Sequence, residues 1–175
     1  MANRRPVQQA HERYFVDQFL IWINSAYRSN FKVTSEPNPP DAIIRSSKTT
    51  RWVEVSTAFW TFEYARDLYS YATPNEPYKP VVPGPYYDMD HFFANEFVSV
   101  VSKKLEKKSY IPWKNKYGPG YLIVPIKHPW FDGETIRVMK DLWNNCIFND
   151  LGCFRSVRIA FPSLKKIKFY RWPKK

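Results

Sequence analysis

The chain has 175 residues, 44% of them hydrophobic and 18% aromatic, and its 27 Lys and Arg against 16 Asp and Glu give a formal net charge of +11. That length suits one domain with a single core, and the longest unbroken apolar run, Phe19 to Ile23, falls far short of the roughly 18 residues a membrane span needs. Cys146 and Cys153 make no disulfide framework, no signal-peptide pattern opens the chain, and the expectation is a reduced cytoplasmic protein without a membrane partner.

Val7 to Arg28 is predicted as a helix, because Phe15, Val16, Phe19, Leu20, Ile23, Ala26 and Tyr27 recur at three- and four-residue steps. Glu12 falls on the same stripe, where an acid is costly to bury without a partner; at the stripe's edge near the helix start the dipole would favour it. Phe31 to Thr34 reads as a short strand, and the prolines of Glu36-Pro-Asn-Pro-Pro-Asp41 force an extended connection after it. Ala42 to Arg45 and Arg51 to Phe59 are predicted as two strands joined by a polar turn. Alternation sets Trp52, Glu54, Ser56 and Ala58 on one face of the second strand and Val53, Val55, Thr57 and Phe59 on the other. Glu54 thus stands in an otherwise apolar strand, and a metal ion or an Arg or Lys partner is needed to account for it.

A short helix is expected around Phe62 to Tyr71. The prolines at 74, 77, 80, 83 and 85 then exclude a helix or central strand, so residues 72 to 90 read as a loop or insertion. A helix from about His91 to Lys108, capped by Asp90, carries Phe93, Phe97, Val100, Val101 and Leu105 inward, with Lys104 and Lys108 continuing that line. Tyr121 to Ile126 has the near-continuous apolarity of a doubly covered strand. Thr135 to Asn149 is helical in spacing, and Val157 to Phe161 with Lys165 to Tyr170 suggests a closing hairpin around Pro162-Ser163. The order describes a mixed α/β domain with a central sheet flanked by helices.

The surplus charge is concentrated in two places. Six lysines (Lys103, Lys104, Lys107, Lys108, Lys114, Lys116) stand against Glu106 alone, beside Tyr110, Trp113 and Tyr117. From Phe154 to Lys175 there are eight basic residues and no acid, including Lys165, Lys166, Lys168 and Arg171, interleaved with Phe169, Tyr170 and Trp172. Lysines neutralise phosphates and rings stack on unpaired bases, so the pattern points to a nucleic-acid partner; each patch alone is equally a solvated surface over rings that face the core.

Pro40-Asp41, twelve further residues, then Glu54-Val-Ser56 on a strand, behind a helix bearing an inward Glu12, resembles the PD-(D/E)XK nuclease superfamily, whose fold is restriction-endonuclease-like. The resemblance runs from about Ala10 to Tyr170, with the proline-rich segment as an insertion, and treats residues 1–175 as one domain. It implies a Mg²⁺- or Mn²⁺-dependent nuclease that hydrolyses DNA phosphodiester bonds, with Asp41, Glu54 and the Val55 carbonyl as metal ligands and Glu12 as an assisting acid. The family's lysine two positions after the Glu is replaced by Ser56. The resemblance therefore implies either that the lysine has moved to the following helix, with Lys104 preferred to Lys108 and Ser56 ordering a water, or that the site is lost in a nucleic-acid-binding or protein-interaction module. Family nucleases that cut both strands often dimerise, and exposed aromatics of the proline-rich segment offer a surface for a homodimer. Without the resemblance, Asp41 caps a turn and Glu54 pairs with Arg45 or Arg51. Walker loop, G-x-S-x-G elbow, dinucleotide fingerprint and zinc spacing are all missing from the sequence.

Overall fold

A computed structural model describes residues 3–82, 86–146, 150–162 and 166–173. The chain opens with α1 (Arg5–Tyr27), whose buried side chains Phe15, Val16, Phe19 and Ile23 form the predicted stripe as far as Ile23; Ala26 and Tyr27, expected to continue it, are exposed where the helix runs out. It stops where Arg28 turns left-handed at φ 49°. Strands β1 (Lys32–Ser35), β2 (Ala42–Arg45) and β3 (Thr50–Val55) form an antiparallel meander, and β4 (Ala58–Phe59) follows almost at once. Next come α2 (Phe62–Ala72), capped by the Thr61 side chain, and α3 (Met89–Leu105). A 3-10 turn at Lys108–Tyr110 leads into α4 (Ile111–Tyr117), which is followed by β5 (Gly120–Lys127) and α5 (Gly133–Asn145), held at its start by the Asp132–Thr135 capping box. The hairpin β6 (Phe154–Pro162) and β7 (Ile167–Trp172) closes the fold.

The seven strands form one mixed sheet in the order β1-β2-β3-β5-β6-β7, with β3, β5 and β6 parallel at its centre and β4 also paired with β5. Alternation divides the core in two, as the pleat requires. Val53, Val55, Tyr121, Ile123 and Ala160 face α1 with Phe15, Val16, Phe19 and Ile23. Trp52, Leu122, Val124, Val157 and Ile159 face α3 and α5 with Phe93, Phe97, Val101, Met139 and Trp143. Strand β5 is buried from Gly120 to Ile126, which suits a strand covered on both faces. No helix of the described residues is long and apolar enough to cross a membrane.

Four boundaries differ from the sequence reading. The strand expected from Arg51 to Phe59 breaks at Ser56–Thr57, where Thr57 Oγ1 is bonded to the His11 ring at 2.9 Å; β3 and β4 pair with successive parts of β5. Asp90 is not the cap of α3: the cap position is Asp88, at φ 52°, and Asp90 instead accepts a hydrogen bond from Thr135 Oγ1 that ties α3 to α5. Helix α3 ends at Leu105, so Lys108 leaves the line of Lys104. The stretch around Pro112, between the predicted helix and the Tyr121–Ile126 strand, is a further helix, α4, with the proline in the first turn where its missing N–H costs nothing. Within residues 74–82 the backbone is irregular, anchored to α2 by Lys79 N–H donating to Ser70 Oγ and Val81 N–H to Asp67. Residues 83–85, with two of the five prolines, and Lys165 lie outside the described residues.

Candidate active site

The antiparallel register of β2 on β3 pairs Ala42 with Val53. Extended by one residue, it sets Asp41 opposite Glu54, and directly opposed residues share a face. The Asp41 side chain closes this corner through Oδ2, which accepts the Val55 N–H at 2.7 Å. Glu54 points to the α3 side and is 4% exposed. Its Oε1 accepts from Lys104 Nζ at 2.6 Å and from the Tyr110 hydroxyl at 2.7 Å, while its Oε2 is buried without a hydrogen-bond partner among the described residues. Helix α3, which follows β4 and α2, thus carries Lys104 to the strand after which position 56 is Ser. Arg45 and Arg51 do not pair with Glu54; Arg51 Nη1 donates to the Thr50 and Tyr117 carbonyls.

Tyr110 was not legible as a site residue, because its burial depends on tertiary packing. The 3-10 turn lays its ring on Trp52, with centroids 5.4 Å apart and planes at 21°, and edge-on to Phe154. Trp52 and Glu54 share a face of β3, so stacking on the first brings the Tyr110 hydroxyl to the second. Burial, then the Glu54 charge, holds the Tyr110 hydroxyl well above its ordinary range, so it remains a proton donor to the carboxylate.

Glu12, Val55, Ser56 and Lys104 line a cavity of about 200 Å³ with Gln8, His11 and Tyr69. Glu12 lies near enough to Glu54 and Lys104 to feel their charges, and accepts from Gln8 Nε2 at 2.8 Å. Burial raises its pKa. Burial first, and the Glu54 charge second, push Asp41 up to about 7. Burial, assisted by Lys127, lowers His11 to about 4, so its imidazole is neutral at pH 7. His11 was also missed, since nothing in the sequence ties it to Thr57 forty-six positions on.

The chemistry of this pocket is that of too much negative charge in too little water. Glu12 lines it beside Lys104, Asp41 and Glu54 lie near enough to feel both of those charges, and one oxygen of Glu54 has no hydrogen-bond partner among the described residues. Such a donor set fits a hard divalent cation, which takes oxygen ligands and one or two carboxylates, with waters completing its shell. Asp41, Glu54 and the Val55 carbonyl are the residues that would hold it. No group of three or more His, Cys, Asp and Glu side chains able to hold a metal ion occurs among the described residues; this pair needs the backbone oxygen and water as well.

The basic segments divide. Lys103, Lys107, Lys108, Lys114 and Lys116 are exposed along the end of α3, the following turn and α4, the same stretch that supplies Lys104 and Tyr110. Lys166, Lys168 and Arg171 are on or beside β7, the far edge of the sheet, three strand spacings or about 14 Å from β3. The structure does not bring them to the carboxylates. Of the interleaved rings, Tyr110, Phe169 and Trp172 are core residues and unavailable to a base, while Tyr170 is exposed. Compared with known proteins, the chain matches no family model, no curated protein and no solved structure.

Proposed function

We propose that the protein is a metal-dependent nuclease of the PD-(D/E)XK type that hydrolyses DNA phosphodiester bonds with Mg²⁺ or Mn²⁺. The observation that carries this reading is the delivery of Lys104 Nζ to within 2.6 Å of Glu54, beside Asp41, on a strand whose motif lysine is Ser56. The element order supports it: a helix bearing Glu12, a three-stranded meander with Asp41 just before β2 and Glu54 in β3, then, after β4 and α2, the helix bearing Lys104, and beyond α4 a buried strand parallel to β3.

A divalent cation bound there would polarise a phosphoryl oxygen and acidify a coordinated water. The chain's own groups have separate tasks. Asp41 is fixed by the Val55 N–H and Glu54 by Tyr110, so both carboxylates are oriented before substrate arrives. Lys104 supplies positive charge where negative charge builds on the phosphate in the transition state. Glu12 and the neutral His11 border the cavity and offer acceptors to an attacking water. The exposed lysines from Lys103 to Lys116 would neutralise phosphates on either side of the scissile bond.

The test is cleavage of linear, circular and single-stranded DNA in Mg²⁺, Mn²⁺ or chelator, with wild type beside Glu54→Gln. Metal-dependent cutting lost in the variant supports the reading. Binding without cutting in any metal replaces it with the second one, a nucleic-acid-binding module in which the Glu54–Lys104 pair serves structure alone.

A further inference from the structure

Away from the carboxylates, on the face of the sheet that α1 covers, a cavity of about 360 Å³ is lined by Arg51, Arg155, Arg158, Arg171, Ser156 and Tyr121, with Ile23, Tyr27, Phe31 and Thr49 completing the wall. No acidic side chain of the described residues lines it. None of the four guanidinium groups forms an ion pair with a carboxylate of the described residues. Arg158 of β6 and Arg171 of β7 are directly opposite in the antiparallel ladder. Like charges so placed repel across a Cβ separation of about 5 Å, and the fold holds them there with no paired carboxylate among the described residues.

Two polar atoms of this wall have no partner among the described residues. Ser156 Oγ is buried with no hydrogen bond, on a residue 4% exposed, and Arg158 Nε is buried without a partner as well. Buried polar groups in folded proteins are ordinarily satisfied, so an orphaned hydroxyl beside an orphaned guanidinium nitrogen marks a place for an acceptor. The cations are also held in position. Arg158 lies 4.9 Å over the Trp22 ring and Arg155 5.5 Å over Tyr121, and the Thr50 and Tyr117 carbonyls fix Arg51.

We propose that this cavity binds a phosphate group. Planar guanidinium forks match phosphate oxygens two at a time, and a dianion with several oxygens compensates more of four cations than the single charge of a carboxylate. The volume exceeds that of the anion alone, and Tyr27 and Phe31 give the organic part of a phosphate ester an apolar wall. The cavity is independent of the proposed metal centre: Arg51 stands at the start of β3 and Val55 at its end, about 13 Å along the strand.

Calorimetric titration of the full chain with sodium phosphate, against sodium chloride at matched ionic strength and in chelator, tests the assignment. Because no metal is present, the result does not depend on whether the carboxylate site cuts DNA. One saturating site is expected, weakened at least about tenfold by Arg158→Gln and by Arg171→Gln, and less by Ser156→Ala. The exposed Arg155→Gln serves as the further variant if one of these unfolds. Competition with oligonucleotides bearing a 5′-phosphate or a 5′-hydroxyl then assigns the source. Displacement by the first alone supports the site with a nucleic-acid terminus as ligand, and displacement by neither supports it with a small phosphate. Absence of saturable binding, or unchanged affinity in folded arginine variants, overturns the proposal.

Discussion

Substituting Asp41 by Asn in the metal-free protein isolates the electrostatic cost of gathering the carboxylates. Asp41 has its pKa raised from 3.8 to about 7, by burial first and then by Glu54, with Glu12 adding to the rise and the Val55 N–H and Lys104 opposing it. A carboxyl group raised in this way keeps its proton in the folded state at pH values where the unfolded chain has released it. Its contribution is fully present below about pH 4, is lost as pH rises to about 7, and is level above that. A shift of about three units corresponds to about 4 kcal/mol. Asp41→Asn retains a carbonyl oxygen to accept the Val55 N–H and removes the titration. In chelator, urea unfolding should find the variant gaining on wild type from pH 4 to pH 7 and the more stable of the two at pH 8. Magnesium should then stabilise wild type at pH 8, by about 2.7 kcal/mol at a hundredfold excess over its dissociation constant, and leave the variant unmoved. A difference that does not change with pH, or a variant less stable than wild type at pH 8, would refute the reasoning.

Lys104→Ala should lower DNA cleavage by about 10²–10³-fold through loss of charge at the transition state. It should also destabilise the fold by about 3 kcal/mol, because Glu54 is left buried without its cation, with Lys104→Arg recovering part of each in single-turnover kinetics and urea unfolding. Tyr110→Phe preserves the stack on Trp52 and removes one hydrogen bond to a charged group, so denaturant unfolding should record a loss of about 1.5–3 kcal/mol. Gly120→Ala would drive a Cβ into the buried Trp52 ring; a thermal melt should show destabilisation of about 1–3 kcal/mol, and displacement of Trp52 would disturb Tyr110 with it.

What the sequence disclosed follows the range over which each signal acts. The α1 stripe and the β3 alternation are local periodicities, and both faces of β3 are as read, with Trp52 and Val53 in opposite halves of the core. Glu54 stood out because an acid in an apolar strand requires a partner; the i, i+3, i+4 line of α3 set Lys104 and Lys108 toward the core side, and it was the family resemblance, not that spacing, that singled out Lys104. Lys108 lay on the same line and was lost to it only because α3 stops at Leu105, an end that Pro112, seven residues further on, does not mark. Tyr110 and His11 were hidden for another reason: their partners lie 56 and 46 positions away, and neither carries a local pattern that names a tertiary contact. The arginines show the same limit. Read along the chain, Arg155, Arg158 and Arg171 were part of a basic segment interleaved with rings and suited to nucleic acid, whereas strand order puts Arg158 and Arg171 side by side at a cavity of their own. Register across the sheet, rather than charge along the chain, decides which cations meet.

That Asp41 and Glu54 together hold the divalent cation needed for phosphodiester cleavage is tested most directly by titrating Mn²⁺ into the protein and following the loss of its free paramagnetic resonance signal. Wild type should bind one ion, Asp41→Asn and Glu54→Gln should each lose it while remaining folded, and Mg²⁺ should compete. Failure of the folded wild type to bind Mn²⁺, or binding that survives both substitutions, would contradict the account.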